Sequence, residues 1–258
     1  MPVTSPGEAE LRNYYSTLAQ IWGNPHWWPA GSRLEVIVGA YLTQNTSWNN
    51  VERALRSLRQ ERALSLDQLR TIPIRRLELV IRSAGYFRQK ARRLKTFVAY
   101  LDTRYRGSLS RMFAQSTSQL REELLALDGV GPETADSILL YAGQRPVFVV
   151  DAYTRRILDR HRLMAADSRY EDIRAFCERS LAASCRPAAP LPRGEAAGAA
   201  GAWHTPSRMS RARRAPLAQI YNEMHGLIVG VGKNYCLKSG PKCEQCPLRK
   251  FLPGEQAA

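Results

Sequence analysis

The stretch Leu127-Asp-Gly-Val-Gly-Pro-Glu-Thr-Ala-Asp-Ser-Ile-Leu-Leu-Tyr141, followed by Val147-Phe-Val-Val-Asp-Ala-Tyr-Thr-Arg-Arg-Ile-Leu158, decides the fold of this 258-residue chain. Ahead of it, residues 119–127 predict a helix, with Leu120, Leu124, Leu125 and Leu127 on one side and Arg121, Glu122 and Glu123 on the other. Gly129 and Gly131 end that helix, and Pro132 and Glu133 start the next. Proline suits a first helical turn, and a carboxylate there meets the positive end of the helix dipole. Two glycines let the backbone approach a ligand closely and turn successive N–H groups outward. Gly129, Val130, Gly131 and Thr134 therefore make a candidate phosphate seat. Taken alone, Gly-Val-Gly-Pro is equally an ordinary helix-helix turn. Asp151, delivered by the apolar run 147–150 to the start of a helix over 152–160, is by itself most often only an N-cap.

Outward from this centre, the charge balance points to a partner. Thirty-eight Lys and Arg against 23 Asp and Glu give a formal net charge of +15, which indicates nucleic acid and, best, duplex phosphates. No basic helix with a broad apolar face argues for a membrane, and no stretch reads as a transmembrane span or signal peptide. A cytoplasmic, nucleoid-associated monomer is the expectation. Three of the five cysteines, Cys236, Cys243 and Cys246, crowd near the C-terminus, which suits metal or cluster ligation better than a disulfide framework.

The rest of the chain reads as helices. They are expected at 9–23, at 33–41 (apolar nearly all round, hence central), at 49–59, 74–82, 88–103, 170–183 and 217–231. Ser65 to Gln68 reads as a capping box, and 105–118 as loop with a short turn. Trp27 and Trp28, bracketed by prolines, cannot both join a helical core. At least one is expected to line a surface, cleft or domain seam, as a packing lid or as a stacking platform for a base. The run Arg88, Lys90, Arg92, Arg93, Lys95 is either a solvated face or a reach to a phosphate backbone. Residues 186–216 carry six arginines against the single Glu195 and little apolar periodicity. They read as a disordered basic insertion, adding nonspecific DNA affinity or having no role.

The residues Leu-x-Gly-Val-Gly-x-x-Thr-Ala and Val-Asp, with Asp151 nineteen positions beyond Pro132, closely resemble the helix-hairpin-helix DNA glycosylases of the endonuclease III superfamily, from about Arg33 to Cys246. Trp27-Trp-Pro29, Thr43-Gln-Asn-Thr46 and Val150-Asp-Ala-Tyr153 are most similar to its 3-methyladenine glycosylases. The resemblance implies an all-α, two-domain fold. A six-helix domain spans 31–146, both chain ends form a second domain with a C-terminal cysteine loop, and the cleft lies between them.

It also implies roles. Gln44 and Tyr86 would wedge the duplex, tyrosine replacing the family's frequent leucine. Asp151 would serve the chemistry of base release. Glu133 stands where bifunctional members carry a lysine, which implies release without efficient strand nicking. Trp27, Trp28, Trp48, Glu133 and Lys233 are the pocket candidates for a damaged, alkylated purine in duplex DNA. The cysteine spacing is similar to the family's [4Fe-4S] loop, but Leu252 occupies the place of the fourth cysteine. A cluster completed by another ligand, zinc, or a loop without metal stay open. An oxidised-pyrimidine or mismatch glycosylase, or a noncatalytic DNA-binding module, are the other readings.

Overall fold

The computed structural model describes residues 5–185 and 205–254, and every regular element among them is helical. Among the described residues no helix is long and apolar enough to cross a membrane. The chain divides into two compact units, one of residues 30–145 and one of the two ends, up to Pro29 and from Pro146.

Serine side chains cap five of the twelve α-helices among the described residues. Ser5 caps α1 (Pro6–Trp22) in a full capping box with Glu8. Ser32 caps α2 (Arg33–Thr43), Ser65 caps α4 (Leu66–Thr71), Ser108 caps α7 (Leu109–Met112) and Ser116 caps α8 (Thr117–Leu125). Each serine accepts the backbone N–H of the residue three positions on, worth about 1 kcal/mol apiece. Those last two caps turn the stretch expected as loop into a one-turn helix, and they start the next helix two residues early.

In the 30–145 unit α2 is central, with Leu34 to Leu42 buried without a break. Around it lie α3 (Trp48–Gln60), α4, α5 (Ile74–Val80) and α6 (Phe87–Tyr105). The hairpin helices α8 and α9 (Pro132–Ser137) complete the unit, α9 running on into a buried π-helical turn, Ile138–Ala142. A bidentate ion pair joins the two hairpin helices. Arg121 Nε donates to Asp136 Oδ1 at 2.7 Å and Nη2 to Oδ2 at 3.1 Å, with the Asp136 side chain fully buried.

In the unit of the two ends, α1 packs on α11 (Tyr170–Ala182) and on the long α12 (Pro216–Asn234), and α10 (Ala152–Arg160) packs on α12. Val147, Phe148, Val149 and Val150 are all buried, each burial contributing about 1.5–3 kcal/mol. The expected disordered insertion is corrected in part. Residues 186–204 lie outside the described ones, but from Thr205 the chain is ordered. Ser207 and Ser210 bond to each other's backbone N–H, Met209 is buried, and Arg214 donates to the Met209 carbonyl at 2.7 Å. Reciprocal serine caps and an arginine satisfying turn carbonyls thus supply locally the order that apolar periodicity does not reveal.

Candidate functional site

The hairpin is anchored from beneath. Val130 is buried, and its N–H donates to the Leu127 carbonyl at 3.1 Å. Gly129 sits at φ +72, and a Cβ there would fall 1.8 Å from Arg93 Nε, so both the left-handed turn and the close approach of Arg93 require glycine. Arg93 Nη1 donates to Gln44 Oε1 at 2.8 Å. Gln44 Nε2 in turn donates to the Gly129 carbonyl and to Thr134 Oγ1, both at 2.9 Å. The predicted DNA-contacting residues Gln44, Gly129, Val130, Gly131 and Thr134 are therefore gathered in one place. Gln44 does not project freely, because its amide is held by the hairpin.

Lys90, on the same helix as Arg93, is 1 % exposed. Its Nζ donates to the Leu42 carbonyl at 2.9 Å, just before the Gln44 loop, and to the Ala84 carbonyl at 2.8 Å, just before Gly85 and Tyr86. One ammonium thus ties the two loops expected to enter the duplex. Burial, with Arg93 nearby, pulls it down to about 8. For this residue the structure departs from both alternatives for the basic run, a solvated face or a reach to a phosphate backbone. Lys95 also turns inward, to the carbonyls of Leu69, Arg70 and Ile72 at the end of α4, where a cation complements the helix dipole. Arg88 and Arg92 are the exposed members. Tyr86 is 62 % exposed, the most exposed of the large apolar side chains among the described residues. Glu133 is exposed in the first turn of α9, and Trp48 is half-buried at the start of α3.

In the unit of the two ends, Asp151 caps α10. Its Oδ1 accepts from the Thr154 N–H at 2.7 Å and from Thr154 Oγ1 at 2.9 Å. Its Oδ2 lies 3.6 Å from His225 Nε2 of α12, and the carboxylate side chain keeps 13 % exposure. The N-cap reading and the chemical one are thus not exclusive, since one oxygen caps and the other points elsewhere. Burial pulls the His225 imidazole below its ordinary value, against the opposing pull of Asp151. The Trp27 ring lies 6.3 Å from His225, and the Trp28 ring packs edge-on to Trp27 at 5.7 Å.

Trp27 and Trp28 are only 7 % and 5 % exposed, so neither lines an open surface and both pack inward. The cause is in α12. A Cβ on Gly226 would meet Trp27 Cβ at 2.8 Å and Pro25 Cγ at 2.9 Å, so glycine admits the Pro-His-Trp-Trp segment against the helix. Lys233 is exposed in the last turn of α12. Sequence reasoning missed His225, Lys90 and Arg93 as site residues. The available signal for the first was a histidine amid the apolar stripe Met224, Leu227, Ile228.

Cys236, Cys243 and Cys246 line one recess with Arg160, His161 and Leu252. Burial pushes the Cys246 thiol up, and Cys236 and Cys243 add to that. Yet among the described residues no three His, Cys, Asp or Glu side chains are arranged to hold a metal ion, and the fourth place is the apolar Leu252. Cys177 is fully buried in α11, and nothing is described of the Cys185 side chain. The donor set does not complete a four-thiolate cluster site. The loop is held instead by α10. Arg156 donates to the Cys236 and Gly232 carbonyls, and Arg160 to the Leu237 and Lys238 carbonyls and to Cys236 Sγ at 3.2 Å.

A hairpin with left-handed glycine, a buried apolar lead and an aspartate at a helix start define a class. The model of the HhH-GPD superfamily of base excision DNA repair proteins matches residues 38–183, and the chain belongs to that family. A Methanocaldococcus jannaschii protein assigned as a DNA repair glycosylase is 37% identical over 239 residues, 92% of this chain and 93% of that one. The H. pylori 3-methyladenine DNA glycosylase, solved bound to 1,N6-ethenoadenine, superposes with TM-score 0.69 at 26% identity, covering 88% of this chain and 97% of that one. An endonuclease III trapped as a covalent DNA intermediate shares the fold, with TM-score 0.70 at 19% identity over 98% of each chain. The protein is a DNA glycosylase of base excision repair.

Proposed function

We propose that the chain is a monofunctional glycosylase that releases alkylated purines from duplex DNA. The observation that carries this reading is Asp151. One of its oxygens is fixed by two hydrogen bonds at a helix start, and the other stays clear of the cap, 3.6 Å from the His225 imidazole. Alkylation makes the base a cation, so it leaves the sugar with its bonding electron pair and needs little protonation. What the protein must supply is a flipped nucleotide and a negative charge beside the oxocarbenium-like sugar. Water then adds to the anomeric carbon and loses a proton toward the carboxylate.

Glu133 supports the monofunctional part. The hairpin offers a carboxylate where an amine would be needed to form an imine with the sugar. Likeness to a 3-methyladenine glycosylase and the electron-rich indoles of Trp27 and Trp28 support the substrate class. Tyr86, exposed at a loop tip, is proposed to fill the vacated stack, and the hairpin to seat a phosphate. The test is purified protein incubated with duplexes each bearing one lesion, scored for abasic sites with and without alkali. Alkylpurine release needing alkali for strand scission supports the proposal. Release of oxidised pyrimidines with alkali-independent nicking replaces it with the oxidised-pyrimidine reading.

A further inference from the structure

Asp151 has two oxygens and the cap accounts for one. Oδ1 takes both Thr154 donors, so the orientation of Oδ2, the oxygen left for a sugar or a water, is not fixed by α10 itself. The group that faces it is His225, whose Nε2 stands 3.6 Å away on a different helix. His225 is 4 % exposed and walled by Trp27 and Phe148, whose rings lie 6.3 and 6.2 Å from it, so the imidazole has little freedom to swing away. On its own helix the nearest carboxylate in sequence, Glu223, is turned to Tyr15, Asn24 and Gln219. Tyr153, beyond Asp151 on α10, is a second titratable group that feels the aspartate, and burial together with that charge raises its phenol. The segment 147–150 contributes only apolar side chains.

We infer that His225 is a positioning residue for base release, a neutral imidazole whose Nε2–H is directed at Oδ2 of Asp151 and holds that oxygen toward the sugar. The inference rests on Asp151 being the residue that serves the chemistry. Three consequences follow from the geometry. The donor must be on Nε2, so Nδ1 is the acceptor in the working tautomer. The imidazole must be neutral, a condition that burial favours, because an imidazolium beside the carboxylate would cancel the charge the transition state needs. Finally, the pair spans α10 and α12, so Oδ1 is held by two hydrogen bonds within its own helix while Oδ2 faces, at 3.6 Å and just short of a hydrogen bond, a nitrogen of a neighbouring helix that has only to close that gap.

The experiment compares single-turnover base release, at saturating protein on an alkylated duplex, for wild type, His225→Phe, His225→Gln and Asp151→Asn, with duplex affinity and thermal midpoint measured in parallel. Glutamine carries its amide nitrogen where the histidine carries Nε2, whereas phenylalanine fills the space without a donor. The expected result is a loss of about 10- to 100-fold for His225→Phe at unchanged affinity, the range of one hydrogen bond to a charged group. His225→Gln should stay within a few-fold of wild type. Its rate should also hold to lower pH than that of wild type, because the group whose protonation quenches Asp151 is gone.

Wild-type rates in His225→Phe alongside an inactive Asp151→Asn overturn the inference and leave the role of Asp151 standing. Near-wild-type release by Asp151→Asn overturns both. Equal losses in the Phe and Gln variants with an unmoved pH profile show that the ring merely packs, and overturn it too. If His225→Phe fails to fold, His225→Asn decides. Its shorter amide mimics Nδ1 and not Nε2, so rates equal to those of His225→Gln refute the inference.

Discussion

Replacing Arg121 by methionine removes the bidentate partner of a fully buried aspartate at the joint of the hairpin. Methionine keeps much of the arginine stem's packing, so the change isolates the charge. Leaving one member of a buried pair behind costs about 3–5 kcal/mol, a large part of the roughly 5–15 kcal/mol that holds a folded chain. With a urea slope of about 2 kcal/mol per molar, the midpoint of the 30–145 unit should fall by roughly 1.5–2.5 M.

Far-UV circular dichroism follows the loss. Hydrogen exchange locates it, since the amides of α8 and α9 should lose protection before those of α2. The double change Arg121→Met with Asp136→Leu removes both charges and should recover most of the stability, because an apolar pair in that space carries no desolvation cost. It should also bind duplex DNA more tightly than the single variant does, since the hairpin is restored. A single variant that loses less than about 1 kcal/mol, or a double variant no more stable than the single, refutes the view that this pair clasps the hairpin.

Lys90 gives a signed dependence on pH. Its folded value, about 8, lies below the roughly 10.4 of a free lysine, so the unfolded chain binds that proton more tightly and stability should rise as pH climbs from 8 toward 10. Lys95, also lowered by burial, adds in the same direction, and Lys90→Met should flatten the rise in urea midpoints across that window. Wild-type protein should leave intact abasic strands, and borohydride should trap no adduct. Glu133→Lys should gain weak trapping, and trapping by the wild type would show a nucleophile elsewhere. Leu252→Cys should raise iron and sulfide per chain above the wild-type content. Equal contents would show that residue 252 is not what leaves the recess without a fourth thiolate.

The hairpin and the Asp151 cap were legible because each is written in consecutive residues. Glycine at a positive φ, proline in a first turn and aspartate before a helix act within one turn of the chain. Lys90, Arg93 and His225 were not, because each acts on residues far away in sequence. A lysine that meets Leu42 looks, from its neighbours Gln89 and Ala91, like any other member of a basic face. The burial of Trp27 was not legible for the same reason, since the space beside it is made by Gly226, about two hundred positions on. The formal charge of +15 likewise overstates the groups available to phosphates. Lys90, Lys95, Arg93, Arg121, Arg156 and Arg160 all bond to the protein's own oxygens. Salt dependence of duplex binding should accordingly be gentler than the composition suggests.

α10 is a lever with a fixed handle. Its first residue follows Asp151, and its third turn carries Arg160, whose guanidinium, with that of Arg156, grips four carbonyls of the chain around Cys236. Nine residues at about 1.5 Å each separate the two ends by roughly 13 Å, short enough that tilting one displaces the other by a comparable fraction. The chain around Cys236 is therefore coupled through one short helix to the carboxylate of Asp151. Any event that loosens that grip, whether oxidation of a thiol or truncation after Val231, should be felt at the far end of α10, as a shift of the Asp151 carboxylate proposed to serve base release.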